Sequence, residues 1–383
     1  MSVRSLRASI SDRHHHPDHF NMSSPKSASP TSPARSPGSP EQTEELDPAH
    51  PTNTQIPFNE NDDDADSALG DNDSYASSTA SLTDSIFDYR TINGRTFQSS
   101  KTTEYWGPND DKQNNGLDIA HHFMVMIKDD KLFLAPIGDA PKKVLDVGTG
   151  TGIWAIDLAD AYPSTEVIGT DISPIQPAWV PPNCSFHLDD AQLEWTYPPE
   201  TFDFVHIRAL YGCIGDWAEL YRQAYKVLVP GGYLEDFEMT ITLYSDLPEI
   251  RDDPEHIFKK WSKVFLEAMD RIGKTGRIGI EGNMRKHMEK AGFTDIVERS
   301  YQVPVGGWSS DPKQKKIGIY NLAFLDESLE GFALFLLKQI MGFSYEEVQV
   351  FVAKMRHAIR NKQIRPYYLV TNVYARKPEA GAV

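Results

Sequence analysis

Val144-Leu145-Asp146-Val147-Gly148-Thr149-Gly150-Thr151-Gly152-Ile153-Trp154 compresses a strand, a turn and a helix start into eleven residues. Two apolar residues lead into an acid, glycines follow at every second position, and an apolar helical pattern begins at once. Glycine gives such a turn its unusual backbone angles and lets a ligand approach the main chain closely. The helix start adds free N–H groups and a partial positive charge, suited to an anionic or polar ligand group. A dinucleotide fingerprint would need glycines at 148, 150 and 153. Position 153 is Ile153, and the third glycine is Gly152.

Downstream, Ile153, Ile156 and Ala159 support a helix that ends before Pro163. Glu166 to Ile172 reads as a second strand ending in an acid. Asp171 lies 19 residues after Gly152, where a strand-end carboxylate can accept hydrogen bonds from both ribose hydroxyls of a nucleoside. Cys184 to Leu188 reads as a third strand, closed by Asp189-Asp190-Ala191, and Phe202 to Arg208 as a fourth. Asp216 caps a helix with Trp217, Leu220, Tyr221, Ala224, Val227 and Leu228 on one face. Pro230-Gly231-Gly232 then turns the chain into a fifth strand. Helices are expected at 257–272 and 283–290 and strands at 293–305 and 366–376. Between those strands, helices are expected around 312–325, 327–341 and 344–361, the last with Ser344 and Glu347 spaced as a capping box. Upstream, Leu117 to Met126 reads as a helix, and Tyr89, Phe97, Tyr105 and Trp106 lie around turns at Asn93-Gly94 and 107–110. The alternation predicts an α/β fold, a mostly parallel sheet with helices on both faces and a crevice beyond the strand ends.

The chain has 383 residues and a net charge of −17, which argues against binding nucleic acid over its whole surface. Residues 1–85 carry 5 Lys and Arg against 14 Asp and Glu, so more than half of that charge is local. This stretch is rich in Ser, Pro, Asp and Asn and is expected to be disordered. Ser-Pro pairs at Ser24, Ser29, Ser32, Ser36 and Ser39 and the histidines His14, His15, His16 and His19 read first as parts of a solvated tail. Two cysteines, Cys184 and Cys213, form neither a disulfide framework nor a metal pattern, so an intracellular protein with no metal site is expected. The most apolar run, Gly331 to Leu337, is bounded by Glu330 and Lys338, so no membrane span is expected, and the N-terminus shows no secretory signal.

An acid two residues before the first glycine of G-x-G-x-G resembles motif I of the class I S-adenosylmethionine (SAM) methyltransferases, and Pro230-Gly231-Gly232 resembles a second element of that family. Residues from about 86 to 378 further resemble its fungal LaeA-like, velvet-associated branch. The marks are Asn93-Gly94-Arg95, Pro108-Asn109-Asp110, Leu132-Phe133-Leu134-Ala135-Pro136, Gly152-Ile153-Trp154-Ala155-Ile156, Pro174-Ile175-Gln176-Pro177 and Ala375-Arg376-Lys377-Pro378. Two elements depart from the pattern: Gly116-Leu117-Asp118 stands for an Arg-Leu-Asp, and Ile364-Arg365-Pro366-Tyr367 for an Ile-His-Ala-Tyr. The resemblance implies a Rossmann-like fold with a seven-stranded sheet, SAM as cofactor, and a link to secondary metabolism through biosynthesis or nuclear regulation. It implies that Asp146, Gly148, Thr149, Gly150, Gly152, Asp171, Ile172, Asp190 and Ala191 lie at the cofactor, with Asp190 toward the adenine amino group.

These readings divide the chain into a tail, 1–85, and a methyltransferase domain, 86–378, made of an N-terminal lid (86–140), a cofactor core (141–240) and a substrate lid with the final strands (241–378). Methyl transfer from a sulfonium is a direct displacement, so alignment and water exclusion dominate, and a base helps only a protonated nucleophile. His206 and Glu238 are candidates for that base, Arg208 for an anionic substrate, and Tyr89 and Tyr105 for roof contacts. His206 also reads as a buried histidine bonded to a backbone carbonyl, and Arg208 as an ion-pair partner. Three functions remain open: methylation of a small molecule at O or N, a protein-methylating or regulatory subunit of a velvet-type complex, and a SAM-holding scaffold. The cytoplasm, the nucleus or both are the expected locations.

Overall fold

Asn93 and Gly94 both take positive φ, 48° and 79°, and turn the chain between β1 (Arg90–Ile92) and β2 (Arg95–Phe97), an antiparallel pair. The computed structural model describes residues 89–100, 102–379 and 381. The tail, with its Ser-Pro pairs and histidines, lies outside the described residues. Arg95 holds Asp110 with both Nε and Nη2, and the Asp110 carboxylate also accepts the Gln113 N–H at 3.0 Å. That cap starts α1 (Asp111–Ile127) a turn and a half before the expected Leu117. Gly116, where the resemblance calls for arginine, packs against α7 (Pro312–Ala333): a Cβ there would stand 2.7 Å from Ser328 Oγ.

The main sheet has seven strands in the order β5-β4-β3-β6-β7-β9-β8. β3 (Lys143–Val147), β4 (Glu166–Asp171), β5 (Cys184–Leu188), β6 (Phe202–Arg208) and β7 (Leu228–Met239) are parallel. β9 (Tyr367–Arg376) runs antiparallel to both β7 and β8 (Thr294–Pro304). Neighbouring residues of one strand enter different cores. Val144 and Phe204 pack with Trp154, Ala155 and Leu158 of α2 (Ile153–Ala161). Leu145 and Val205 pack with Leu220, Tyr221 and Ala224 of α3 (Trp217–Val227). Burial on both faces of β3 and β6 explains why Val144 and Leu145, and again Phe204 and Val205, are apolar in succession instead of alternating with polar residues. The chain leaves β3 toward β4 on one side and returns to β6 on the other. The crevice beyond the carboxyl ends of these strands is therefore a topological switch point.

The short α4 (Pro248–Arg251) precedes α5 (Ile257–Arg271) and α6 (Asn283–Ala291). Two helices were expected between about 312 and 341. They are one, α7, running on into a π-helical segment, Leu334–Ile340. Nothing at Asp326-Glu327 breaks the backbone, and Phe324, Leu325, Ser328 and Leu329 form a continuous buried stripe across the expected gap. α8 (Tyr345–Arg360) opens on the Ser344–Glu347 capping box. No helix among the described residues is long and apolar enough to cross a membrane.

A buried ion pair fastens the approach to β3 onto the sheet. Glu235 Oε2 accepts the N–H groups of Leu134 and Ala135, each at 2.7 Å, and Oε1 lies 3.8 Å from Lys128 Nζ. Burial lowers the Lys128 pKa to about 8, with Glu235 opposing the shift. Replacing Glu235 with leucine would leave a buried cation and two N–H groups without their partner. The expected loss is about 3–5 kcal/mol of stability, read from urea unfolding at neutral pH, and adding Lys128→Met should recover part of it.

Candidate functional site

The turn after β3 is shaped by its glycines and held by two carboxylates. Gly148, Gly150 and Gly152 have φ of 70°, 60° and 80°. A Cβ on Gly152 would stand 2.3 Å from the Phe186 ring of β5, so that position needs glycine for packing as well as for backbone angle. Asp146, at the strand end, accepts Thr149 Oγ1–H at 2.5 Å and faces His206 Nδ1 at 2.7 Å. Asp171, at the end of β4, accepts the Gly150 N–H on Oδ2 at 2.8 Å and the Ser173 N–H on Oδ1 at 2.9 Å. Each of its oxygens retains a lone pair. Burial raises the Asp171 pKa to about 6, against the pull of those two N–H groups.

These elements line a cleft with about 950 Å³ of empty space. Gly148, Thr149, Gly150, Asp171 and Ile172 form one wall. Asp189, Asp190, Ala191 and Gln192, beyond β5, form another. α1 covers it with Leu117, Ala120, His121 and Met124, residues three or four apart on one helical face. Thr103, Glu104 and Tyr105 close the end near Asp190, whose carboxylate accepts from Thr102 Oγ1 at 2.8 Å and from the Gln192 N–H at 3.0 Å. Arg208 extends from the end of β6, its Nη1 3.0 Å from His121 Nδ1, while His121 Nε2 lies 2.9 Å from Asp157 Oδ2. Burial lowers the His121 pKa to about 4 despite Asp157. The neutral ring therefore accepts from Arg208 and donates to Asp157, which fixes its tautomer.

The family described as "Methyltransferase domain" matches residues 119–297. Methyltransferase pytC of Aspergillus terreus is 35% identical over 306 residues, which cover 79% of this chain and 92% of that protein. The secondary metabolism regulator LAE1 of Cochliobolus heterostrophus is 34% identical, covering 75% of this chain and 94% of that one. The chain belongs to the fungal LaeA-like methyltransferases. A solved Haemonchus contortus phosphoethanolamine N-methyltransferase 2 in complex with S-adenosyl-L-methionine is similar at 19% identity, with a TM-score of 0.41, over 70% of this chain and 53% of that one.

In this LaeA-like chain, Gly148, Thr149, Gly150, Asp171, Ile172, Asp190, Ala191, Tyr105 and Arg208 come together at the cleft. Five expected site residues do not line it. Asp146 is 3% exposed and spends its carboxylate on Thr149 and His206, beneath the turn. Gly152 is turned onto Phe186. Tyr89, just before β1, is not among the lining residues. His206 is fully buried and stacks on Trp154 at 3.6 Å with ring planes 3° apart. Its partner is the Asp146 carboxylate, not the backbone carbonyl expected. Although that contact has the geometry of an ion pair, burial lowers the imidazole pKa to about 4, so the ring is neutral and donates from Nδ1. Glu238 is fully buried too, accepting the N–H groups of Leu210 and Tyr211 at 2.7 and 2.9 Å, and neither candidate base reaches the cleft.

Several cleft residues were not singled out in the sequence. Ala120, His121 and Met124 carry the spacing of one helical face with Leu117, a usable signal. Asp118 and Gln176 brace the glycine turn from outside that lining: Asp118 accepts Thr151 Oγ1–H at 2.7 Å, and Gln176 Nε2 donates to the Gly150 carbonyl at 2.7 Å, across 33 and 26 residues of sequence.

The raised pKa of Asp171 has a sign that unfolding can read. The folded protein holds that proton more tightly than the unfolded chain, so ionised Asp171 costs stability above about pH 6. The cost fades as pH falls through 6 toward the ordinary carboxylate range. The stability of Asp171→Asn relative to the parent protein should therefore be more favourable at pH 8 than at pH 5, measured by urea unfolding. An equal difference at both values would mean that Asp171 titrates as an ordinary carboxylate.

Proposed function

We propose that this chain transfers a methyl group from SAM to an oxygen or nitrogen nucleophile of a small molecule, in fungal secondary metabolism. The observation that carries the reading is Asp171, at a strand end beside a glycine turn, with both carboxylate oxygens anchored by N–H groups and a lone pair left on each. That arrangement fits two ribose hydroxyls. The turn fits as well: a Cβ on Gly150 would meet only Leu117, 3.7 Å away, so the main chain there is open to a ligand. Asp190 and Ala191 would hold the adenine end, Tyr105 would cover it, and Ile172 would pack beside the ribose. Arg208 supports the amino-acid end, since it presents a cation beside the glycine turn, held in place by His121. We assign Arg208 to the carboxylate of the cofactor in preference to an anionic acceptor.

When bound, SAM would supply an electrophilic methyl: the acceptor's lone pair would form the new bond to carbon as the C–S electrons return to sulfur, any proton on the acceptor being lost to bulk solvent as the product leaves. The chain's part is to orient the donor and exclude solvent. In this reading α1 and residues 103–105 form the roof, and residues 86–378 act as one methyltransferase domain with its N-terminal lid at 86–140, cofactor core at 141–240 and substrate side at 241–378. A second reading, a regulatory or protein-methylating subunit working with velvet-type partners in the nucleus, draws on relatives named as secondary metabolism regulators.

Calorimetry with SAM tests the cofactor assignment. Gly150→Arg should abolish binding, and Asp171→Asn should weaken it at least about tenfold, as expected for two lost charge-assisted hydrogen bonds. The parent protein's affinity should also decline below about pH 6, as Asp171 takes up its proton. Unchanged affinity in Asp171→Asn would refute the ribose assignment. Methyl-labelled SAM with a fractionated fungal extract separates the two readings: label in small organic-soluble molecules supports the first, and label on protein supports the second.

A further inference from the structure

Behind the cleft lies a second space of about 500 Å³, partly open, whose walls carry no charged side chain. Trp261 and Phe265 of α5, Leu325, Leu329 and Phe332 at α7, and Met355 of α8 supply much of its lining. Two pairs of consecutive residues join it to the cleft. Tyr105 lines the cleft and Trp106 the apolar space; Leu210 lines the cleft and Tyr211 the apolar space. The Trp106 and Tyr211 rings are 6.3 Å apart, so the two segments meet and form a shared wall.

The polar groups of this lining are mostly committed within the protein. Trp106 Nε1 donates to the Gly212 carbonyl at 3.0 Å, Tyr368 Oη to Asn321 Oδ1 at 2.8 Å, and Thr240 Oγ1 to the Thr242 carbonyl at 3.1 Å. Tyr211 and Trp261 are the remaining residues of the lining that carry a polar tip, a hydroxyl and an indole N–H. A lysine or arginine side chain would lose its hydration here without gaining a carboxylate, an uncompensated cost. A flat apolar ring bearing one polar group would replace water against Trp, Tyr and Phe faces and offer that group to Tyr211 or Trp261.

We propose that this aromatic-lined space is the acceptor site and that it takes an uncharged, ring-containing hydroxyl compound, a phenol in its simplest form. The assignment rests on the cofactor reading of the adjoining cleft, and its test reads the two sites separately. Calorimetry on the full chain uses S-adenosylhomocysteine for the cleft, 2-naphthol for the apolar space, and Nα-acetyl-lysine amide as a cationic probe. Leu329→Trp, which fills the space from α7, should weaken 2-naphthol at least tenfold and leave S-adenosylhomocysteine within twofold. Leu325→Phe, a smaller intrusion, should give the same pattern if Leu329→Trp does not fold. The lysine probe should not bind.

If S-adenosylhomocysteine binds but 2-naphthol does not, or binds both filled variants as it binds the parent protein, the acceptor assignment is overturned. Lysine-probe binding that the filled variants abolish would overturn it in favour of a protein side chain. If S-adenosylhomocysteine fails to bind the parent protein, the cofactor reading is overturned and the acceptor role falls with it, even where 2-naphthol binds.

Discussion

The site depends on a carboxylate that never meets a ligand-sized space. Asp146 ends β3 beneath the glycine turn, taking a proton-bearing partner from each side: the Thr149 hydroxyl within the turn and the His206 ring from the neighbouring strand. Asp146 and His206 stand directly opposite in the parallel register of β3 and β6, so the bond crosses the centre of the sheet. His206 is in turn clamped under Trp154, the second residue of the helix that the turn begins. Strand end, turn and helix start are thereby fixed to one another by a single buried unit. Removing one member of such a unit leaves the others desolvated and unpartnered, which costs more than the bond itself contributes.

Upon that base the cleft is assembled from parts far apart in sequence. Asp171 stitches the turn to β4, Asp118 brings α1 onto Thr151, and Arg208 reaches His121 across the same gap. None of these bonds belongs to the regular hydrogen bonding of helix or sheet. They convert an open crevice beyond parallel strands, which any fold of this kind provides, into a covered one. Polar contacts thus decide where the cover sits, while the two apolar layers decide that there is a sheet to cover.

Local chemistry explains which features could be read from the chain. β3 to β6 have apolar runs bounded by Gly, Pro and Asp, and α3 has an Asp cap and a one-sided apolar stripe. Those signals lie within a few residues of the feature they specify, and the strands and α3 fall where they predict. Helix α1 began earlier than expected because its cap is completed by Arg95, on another strand. His206 illustrates a signal that places a residue without naming its partner. It lies two residues after Phe204, hence on the same sheet face under α2, and strand alternation alone places it in the core. The buried reading stood beside the catalytic one in the sequence, and what the sequence did not reveal is the partner, the Asp146 carboxylate in place of a backbone carbonyl. Glu238 had no such signal, since its partners are backbone N–H groups of a turn whose path is set by tertiary packing.

Helix α7 has a property that follows from its having no break. One side grips the cover of the cleft, with Gly116 against Ser328 and Phe123 5.9 Å from Phe324. Its other contacts, through Leu325, Leu329 and Phe332, bound the apolar space. Two separate helices could have shifted independently, one for each compartment. A single rod cannot, so the height of the roof over one compartment and the width of the other become one mechanical variable. Enclosure on the nucleoside side and fit on the apolar side are then matched by geometry, before either is filled.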